Sequence, residues 1–370
     1  MKNNPFTPCK DQVNARQIAF CAAFILPMGK LLETPSLLSQ YAKGDILAPA
    51  FAQFLLQALI LSLLLVCASQ SKLSILERLQ IRLGKWINAL YIFFSVYFLF
   101  SCILPLLDLE KFVYAAFFDT APTTFSFIAF FPLLAFVCAK GLKSFGRCAD
   151  LCLFLFLLPF CALVGMAFFE SDFTRLLPFF ERSFHDLSQG FTRSTPHFAD
   201  VALLFPLIAS RRYERGDGVK ILSGYGIGAT LTLLFFAVFF GVFGSIAPRE
   251  HYAFAKIAQY FPALEVVGRI DLIFVYLLSA VLLFYTCLPL LYASHFTSLI
   301  FKTERKTLFA FLLALSAFLF VLFMNRHYDS FYAVISGKLA PVFWLIAYLL
   351  PLFCLFIPKN PIKKERIYAR

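Results

Sequence analysis

The sequence predicts an all-α polytopic membrane protein with ten transmembrane helices, arranged as two inverted five-helix repeats whose first and sixth helices are broken. Hydrophobic residues make up 61% of the 370 positions and charged residues only 15%, whereas soluble domains are about half apolar and about a quarter charged. Apolar stretches of bilayer-spanning length recur along the chain. The first and the sixth of them are interrupted by proline, glycine or charged residues.

Ten spans are assigned from these apolar stretches, because a helix needs about 20 residues to cross the hydrocarbon core. No polar stretch between them is long enough for a separate soluble domain, so residues 1–370 are predicted to form a single integral membrane domain. The predicted spans lie near residues 15–40, 47–68, 87–107, 122–139, 149–169, 197–210, 219–244, 271–299, 307–324 and 334–357.

The basic residues predict the orientation of the spans. Of the 33 Lys and Arg residues, 22 fall in segments that lie inside when the N-terminus is inside, and ten fall in the outer segments. Cytoplasmic loops are enriched in Lys and Arg, so both termini are predicted to be cytoplasmic, with tails at 1–14 and 359–370. The net charge of +12 then reflects topology, and no nucleic-acid partner is expected.

Two outer segments, 170–198 and 247–270, mix aromatic and charged residues, as helices that lie at a membrane interface do. Both are predicted to be extracytoplasmic interfacial segments. Each borders a span, so either segment can cap an outward-facing pocket or simply pack at the interface.

Motifs for catalysis, metal binding or a cofactor are absent from the sequence. The ten cysteines are scattered without a CxxC pair, and the five histidines show no metal-ligand spacing. There is no glycine-rich phosphate loop and no pair of carboxylates within the spans. We therefore predict a protein that is not an enzyme and that uses no metal and no cofactor.

The first span contains the most informative stretch, FCAAFILPMGKLLETPSLLSQ. Pro27 and Gly29 interrupt its helix, and Lys30 and Glu33 add charges that are costly in contact with lipid. A broken helix is tolerated in a bilayer where its freed backbone groups line a cavity or are buried in protein. The stretch therefore predicts a discontinuous span that forms part of a small-molecule site. The alternative is a kinked helix whose charges reach the interface.

The sixth span is unusually short. Its continuous apolar run is only Val201–Ala209, with Asp200 before it and Pro206 inside it. Interrupted helices at corresponding places of two five-helix halves indicate an inverted-repeat fold with a binding site near the bilayer midplane.

The break in the first span offers groups for both ends of a zwitterion. The half-helix that starts near Leu31 presents unpaired N–H groups and the positive end of its dipole, and Lys30 adds a charge. Free carbonyls around Phe24–Pro27 suit an ammonium group. Alternatively, Lys30 pairs with Glu33 one turn along the helix and closes the cavity.

Residues of the third, sixth and eighth spans are expected to complete the pocket. The third span carries aromatic residues at helical spacing, with Tyr97 one step round, although such a stripe can equally be packing. Tyr276 and Ser279 are polar groups three residues apart in the eighth span. The predicted ligand-binding residues are Leu26, Pro27, Met28, Gly29, Lys30, Leu31, Tyr91, Phe94, Tyr97, Phe98, Leu204, Phe205, Pro206, Tyr276 and Ser279.

The stretch ARQIAFCAAFILPMGKLLETPSLLSQYAKGDILAPAFAQFLLQ resembles the opening of the spore germination receptor B-subunit family, the endospore germination permeases of the amino acid–polyamine–organocation superfamily. Three later stretches are also similar: GRCADLCLFLFLLPF, FADVALLFPLIAS and YFPALEVVGRIDLIFVYLLSAVLLFYTCLPLLYAS. The resemblance implies a ten-helix fold with broken first and sixth helices and a pocket for a small nutrient, often an amino acid. It also implies two partners, an A-type subunit with a soluble domain and membrane helices, and a C-type lipoprotein subunit.

Together, the residues and the resemblance predict a germinant-receptor subunit in the spore inner membrane that binds an amino-acid-like molecule and signals germination. A secondary transporter of an amino acid or organic cation is the alternative, and an ion or water conduit is a third. Ion-coupled transport would require acidic or hydroxyl groups beside the broken helices, and Glu33 and Asp200 are the nearby acids.

Overall fold

The computed structural model describes residues 13–117, 128, 130–260, 271–301, 306–325 and 327–353. Every regular element in these ranges is a helix. Six helices of the described chain are long and apolar enough to cross a membrane, and a bent pair near the N-terminus makes up to seven. The polytopic all-helical class is therefore confirmed, while the ten spans and the inverted repeat stay predictions.

The α-helices are numbered here in chain order. They are α1 (Ala15–Phe20), α2 (Thr34–Ala42), α3 (Leu47–Ser69), α4 (Ile75–Leu83), α5 (Ile87–Ser101), α6 (Ile103–Phe117), α7 (Phe130–Glu170), α8 (Phe184–Ser194), α9 (Asp200–Ser210), α10 (Asp217–Phe243), α11 (Ala253–Gln259), α12 (Asp271–Phe301), α13 (Lys306–Asn325), α14 (Tyr328–Ala333) and α15 (Ala340–Phe353). Short 3-10 or π-helical segments connect several of them: Cys21–Ile25, Leu26–Lys30, Lys43–Asp45, Gly84–Trp86, Phe173–Leu176, Thr195–Phe198, Gly244–Arg249 and Val334–Lys338.

The first span is broken where the sequence predicts it. After α1 the chain forms a π-helical turn at Cys21–Ile25 and a 3-10 segment at Leu26–Lys30, and it then bends before α2 begins. The two halves of the span meet at an angle of 61°. Pro27 has no N–H for a regular helical hydrogen bond, so the α-helical ladder cannot continue through this segment.

The sixth span is short, as predicted. It consists of a 3-10 turn at Thr195–Phe198 and the 11-residue helix α9, which is about 16 Å long at the usual rise per residue. The hydrocarbon core is about 30 Å thick, so α9 alone cannot cross it. All 11 residues of α9 are buried, and the side-chain carbonyl of Gln57 caps its start by accepting from the Val201 amide at 3.0 Å.

Two predicted loops are shorter in the structure than expected. Segment 140–148 was expected to connect the fourth and fifth spans, and the chain does break there, at Gly141, whose φ of 79° and ψ of 176° are not helical. α7 therefore consists of two helices that meet at Gly141, and the rest of the segment is helical. The third span was expected to end at Leu107, but α6 follows α5 after a single turn residue and continues to Phe117. Hydropathy marks where apolar side chains end, and a helix can extend beyond that point when its polar residues face protein.

The two outer segments pack against the first span and the turn that follows it. In the first segment, Asp45 accepts from the amides of Phe180 at 2.6 Å and Arg182 at 3.0 Å. In the second, α11 is largely buried and contacts the break directly, while residues 261–270 lie outside the described ranges. The predicted tails also lie outside those ranges, apart from residues 13 and 14.

A pair of glycines lets α10 approach the first span closely. An added Cβ at Gly224 would lie 2.5 Å from the Ala19 carbonyl oxygen, and one at Gly228 would lie 2.5 Å from that of Ala22. Small residues four apart commonly allow such contacts between membrane helices. This contact holds the first half of the broken span against a long regular helix.

Candidate functional site

A buried ion pair joins the two broken spans. Lys30 Nζ lies 2.6 Å from Asp200 Oδ1, and the two side chains are only 1% and 2% exposed. The ammonium group also donates to the Leu26 carbonyl at 3.4 Å, while the Tyr225 hydroxyl donates to Asp200 Oδ2 at 3.3 Å. The predicted alternative partner of Lys30, Glu33, instead lies 2.8 Å from His251 Nδ1. The Lys30–Glu33 pairing is therefore wrong.

Two backbone carbonyls at the break accept hydrogen bonds from the second outer segment. The Leu32 carbonyl accepts from the Ala253 amide at 2.9 Å, and the Leu31 carbonyl accepts from the Phe254 amide at 3.2 Å. These amides belong to the first turn of α11, whose N–H groups have no partner within their own helix. The second outer segment therefore closes one side of the broken stretch.

A small cavity lies beside the break, with about 40 Å³ of space open to water-sized molecules. Its wall is formed by the first span, by α5 and α6, by the start of the sixth span and by α12. The lining residues are Gly29, Leu32, Tyr97, Phe100, Ser101, Leu104, Pro105, Asp108, Pro196, His197, Ala199, Leu203, Leu282, Tyr285 and Pro289.

The polar groups of the cavity are few. Asp108 is 5% exposed, and its Oδ1 accepts from the Tyr328 hydroxyl at 2.7 Å. His197 Nε2 lies 3.4 Å from the Tyr332 hydroxyl, and Ser101 donates to a carbonyl of its own helix. Neither Lys nor Arg is among the lining residues. An arrangement of one carboxylate among aromatic and apolar walls can bind a small polar molecule with partial exclusion of water.

Of the predicted site residues, Gly29 and Tyr97 line the cavity. The ring of Tyr285 leaves no space for a side chain at position 29. A Cβ added to Gly29 would overlap this ring and lie 2.5 Å from its hydroxyl oxygen. Several other predicted residues of the first and sixth spans are buried but are not among the residues that line the cavity. These are Leu26, Pro27, Met28, Lys30, Leu31, Leu204, Phe205 and Pro206.

The aromatic residues predicted from the third span pack against other rings. Phe94 lies 5.7 Å from Phe205 and 5.0 Å from Phe296 between ring centroids. Tyr91 and Phe98 also contact Phe296. This aromatic cluster fastens the third span to the sixth and to α12.

The two residues predicted from the eighth span are not among the lining residues. Tyr276 is 68% exposed on the outer face of α12, and Ser279 donates to the carbonyl of Val275 within the same helix.

Sequence reasoning missed Asp108, His197 and Tyr285. The signal for Asp108 is nevertheless present, because Tyr97, Ser101, Leu104 and Asp108 follow one another at helical spacing and all four line the cavity. No comparable signal marks Tyr285, since α12 is apolar on all sides. No group of three or more His, Cys, Asp or Glu side chains suited to a metal ion occurs in the described part of the chain.

A bundle of apolar helices with a broken first span, a short sixth span and a cavity between them defines a polytopic membrane protein of the permease type. A sequence model of the family described as "Spore germination protein" matches residues 47–329. The chain therefore belongs to the spore germination protein family, as the resemblance predicted. No curated protein sequence matches it significantly.

Solved structures of transporters share the fold. A variant of the manganese transporter of Eremococcus coleocola is similar with a TM-score of 0.56 and 12% identity, over 92% of this chain and 76% of that one. The same transporter bound to an aromatic bis-isothiourea compound gives a TM-score of 0.54 with 11% identity, over the same shares. Mhp1, a nucleobase-cation-symport-1 family transporter closed around bromovinylhydantoin, gives 0.54 with 12% identity, over 91% of this chain and 78% of Mhp1. At these identities the likeness shows the fold alone.

Proposed function

We propose that this protein is the membrane subunit of a germinant receptor, which binds a small amino-acid-like molecule in the cavity beside the first break and signals spore germination. The observation that carries the proposal is the position of the cavity. It lies where the first break meets the third span, the start of the sixth span and α12, in a chain whose family is that of spore germination proteins.

The proposal includes the finer architecture predicted from the sequence. Ten spans form two inverted five-helix repeats, both termini are cytoplasmic, and the protein resides in the inner membrane of the spore. An A-type subunit and a C-type lipoprotein are its partners. Family membership supports the receptor complex, and the broken first and short sixth spans support the repeat.

A ligand in the cavity would touch both interrupted spans at once. Gly29 and Leu32 belong to the first span, and Ala199 and Leu203 belong to the sixth. A ligand shifts a conformational equilibrium by its difference in affinity for the two states. Contacts with both spans give such a difference in affinity whenever the spans move relative to each other. This movement would change the contacts with the partner subunits and so transmit the signal.

Ligand binding to the full-length protein, purified in detergent with its partner subunits, tests the proposal. We expect one of a panel of amino acids, sugars and nucleosides to raise the unfolding temperature saturably. Leu203→Trp fills the cavity and should abolish this shift, whereas Leu319→Trp, at a position 57% exposed on α13, should leave it intact. Absence of any saturable shift, or an equal shift in Leu203→Trp, would contradict the site.

The second candidate is a secondary transporter of an amino acid or an organic cation. The fold it shares with a manganese transporter and with Mhp1 favours this candidate. Uptake of the bound ligand into proteoliposomes separates the two functions. Saturable uptake that Leu203→Trp abolishes favours the transporter, and binding without uptake favours the receptor.

A further inference from the structure

We infer that Asp108 anchors an ammonium group of the ligand and that a carboxylate on the ligand is dispensable. The inference deepens the proposed function and rests on it, since it concerns the same cavity. It names the class of ligand as small organic amines, of which amino acids are one kind.

Asp108 places a buried carboxyl group on the cavity wall. It lines the cavity, is 5% exposed and accepts a hydrogen bond from the Tyr328 hydroxyl at Oδ1. None of the ion pairs among the described residues includes Asp108. Lys111, three residues further along the chain, places its Nζ 5.4 Å from the ring centroid of Tyr328. A buried carboxylate without a cation is costly, so a cationic group entering the cavity would be stabilised there.

Among the described residues that line the cavity, none is a Lys or Arg that could pair with a ligand carboxylate. Lys30 is the buried cation nearest the break, but it is 1% exposed and already paired with Asp200. The cavity wall contains one imidazole, His197, and no Lys or Arg. A carboxylate that entered this cavity would be buried without a positive partner among the described lining residues, and burying an unpaired charge is costly.

The walls of the cavity are largely aromatic and apolar. Tyr97, Phe100 and Tyr285 line the cavity together with Asp108. Aromatic faces attract cations as well as excluding water, with larger effects at desolvated sites. One carboxylate and three aromatic rings form a better site for an ammonium group than for a metal ion, which requires several oxygen, nitrogen or sulfur ligands.

The size of the cavity limits the ligand. Its 40 Å³ of water-accessible space holds about three water molecules. In this form it therefore admits an ammonium group with a few carbon atoms, and a larger amine requires the walls to separate.

Three probes of matched chain length test the inference on the full-length protein: ethylammonium, L-alanine and propionate. We expect ethylammonium to bind the wild type at least as tightly as L-alanine, whose carboxylate meets no Lys or Arg among the lining residues, and propionate not to bind. Asp108→Asn keeps the shape of the side chain and removes its charge, so it should weaken both amines by about tenfold to a hundredfold, as expected for loss of a charged hydrogen bond.

Two further variants separate the charge of Asp108 from its structural role. Asp108→Glu keeps the carboxylate and should retain most of the ethylammonium affinity that Asp108→Asn loses. Glu110→Gln is the matched control, because Glu110 is a buried acid on the same helix that is bonded to Asn325 and does not line the cavity. It should leave the affinity for both amines unchanged.

Several results would overturn the inference: propionate binding as well as ethylammonium, no ethylammonium binding in the wild type, or equal affinity in wild type and Asp108→Asn. The proposed function fails by a different result. If a sugar, nucleoside or carboxylic acid binds and Leu203→Trp blocks it, the cavity is a ligand site and only the ammonium preference is wrong. If no compound of any class binds, the proposed function is wrong as well.

Discussion

Lys30 Nζ and Asp200 Oδ1 are 2.6 Å apart in the interior of the protein, although 170 residues separate them in the chain. Lys30 ends the 3-10 segment of the broken first span, and Asp200 begins α9 of the sixth span. The pair therefore fastens the two interrupted helices to each other at the level of the break. A relative movement of the two spans must either carry both residues or separate two buried charges.

Removing one charge of this pair should destabilise the protein strongly. Lys30→Met or Asp200→Leu leaves an unpaired buried charge, which costs about 3–5 kcal/mol, whereas the double variant Lys30→Met/Asp200→Leu should lie close to the wild type. Unfolding of the four proteins in detergent forms a double-mutant cycle that measures the coupling.

The exposed pair Arg16–Asp150 is the matched control for this cycle, since its side chains are 68% and 33% exposed. Arg16→Met should cost no more than about 1 kcal/mol. Single variants of the buried pair that are as stable as Arg16→Met would show that Lys30 and Asp200 do not depend on each other.

Gly29 should tolerate no side chain while Tyr285 keeps its position. An added Cβ would overlap the Tyr285 ring, so Gly29→Ala should lower stability by about 1–3 kcal/mol, as overpacking of a core does. It should also abolish ligand-induced stabilisation by pushing the ring into the cavity. Gly29→Ala/Tyr285→Leu should recover part of the stability.

Gly165→Ala serves as the control for the Gly29 variant, because its added Cβ meets no described atom within 4 Å apart from its chain neighbours and the backbone of its own helix. Both unfolding temperature and ligand-induced shift should match the wild type in Gly165→Ala. A Gly29→Ala protein with a normal ligand-induced shift would mean that the Tyr285 ring can move aside and that the break can accommodate a side chain at position 29.

The close approach of α10 to the first span depends on Gly224 and Gly228. Either residue changed to Val should lower stability by about 1–3 kcal/mol, since each added side chain meets a backbone carbonyl that cannot move aside. Gly226 lies between them with open space around its added Cβ, and Gly226→Val is the comparison. Equal unfolding temperatures for all three variants would contradict the packing.

The breaks were predictable from the sequence because their causes are local. Pro27 and Gly29 interrupt a helix wherever it packs, and the apolar run Val201–Ala209 is too short to cross a bilayer in any fold. The partner of Lys30 was not predictable in the same way. Glu33 is three residues away and Asp200 is distant in the chain, and only the packing of the two spans decides between them.

The cavity was harder to predict than the breaks, because its residues differ from their neighbours only in the direction they face. Tyr276 and Tyr285 lie in the same apolar helix, yet one is 68% exposed and the other is 7% exposed and lines the cavity. In a helix that is apolar all round, hydropathy does not distinguish the faces. Asp108 was assigned to a loop because the apolar run ends at Leu107, although its spacing from Tyr97 and Ser101 places it on their face.

His251 should make stability depend on pH near neutrality. Its hydrogen bond with Glu33 raises the pKa of His251 above the usual 6.5, so the folded protein holds the proton more tightly than the unfolded chain. The stabilisation is complete below pH 6.5 and is lost as pH rises through the raised folded-state pKa. Because the imidazole is 58% exposed, the effect on the free energy of unfolding should be below about 1 kcal/mol.

The unfolding temperature, measured between about pH 6 and pH 8, tests this prediction. Over this range it should fall more in the wild type than in His251→Gln. The control His185→Gln alters an exposed histidine of α8, and its unfolding temperature should change with pH as that of the wild type does. Parallel curves for wild type and His251→Gln would show that the pair with Glu33 does not stabilise the closed side of the break.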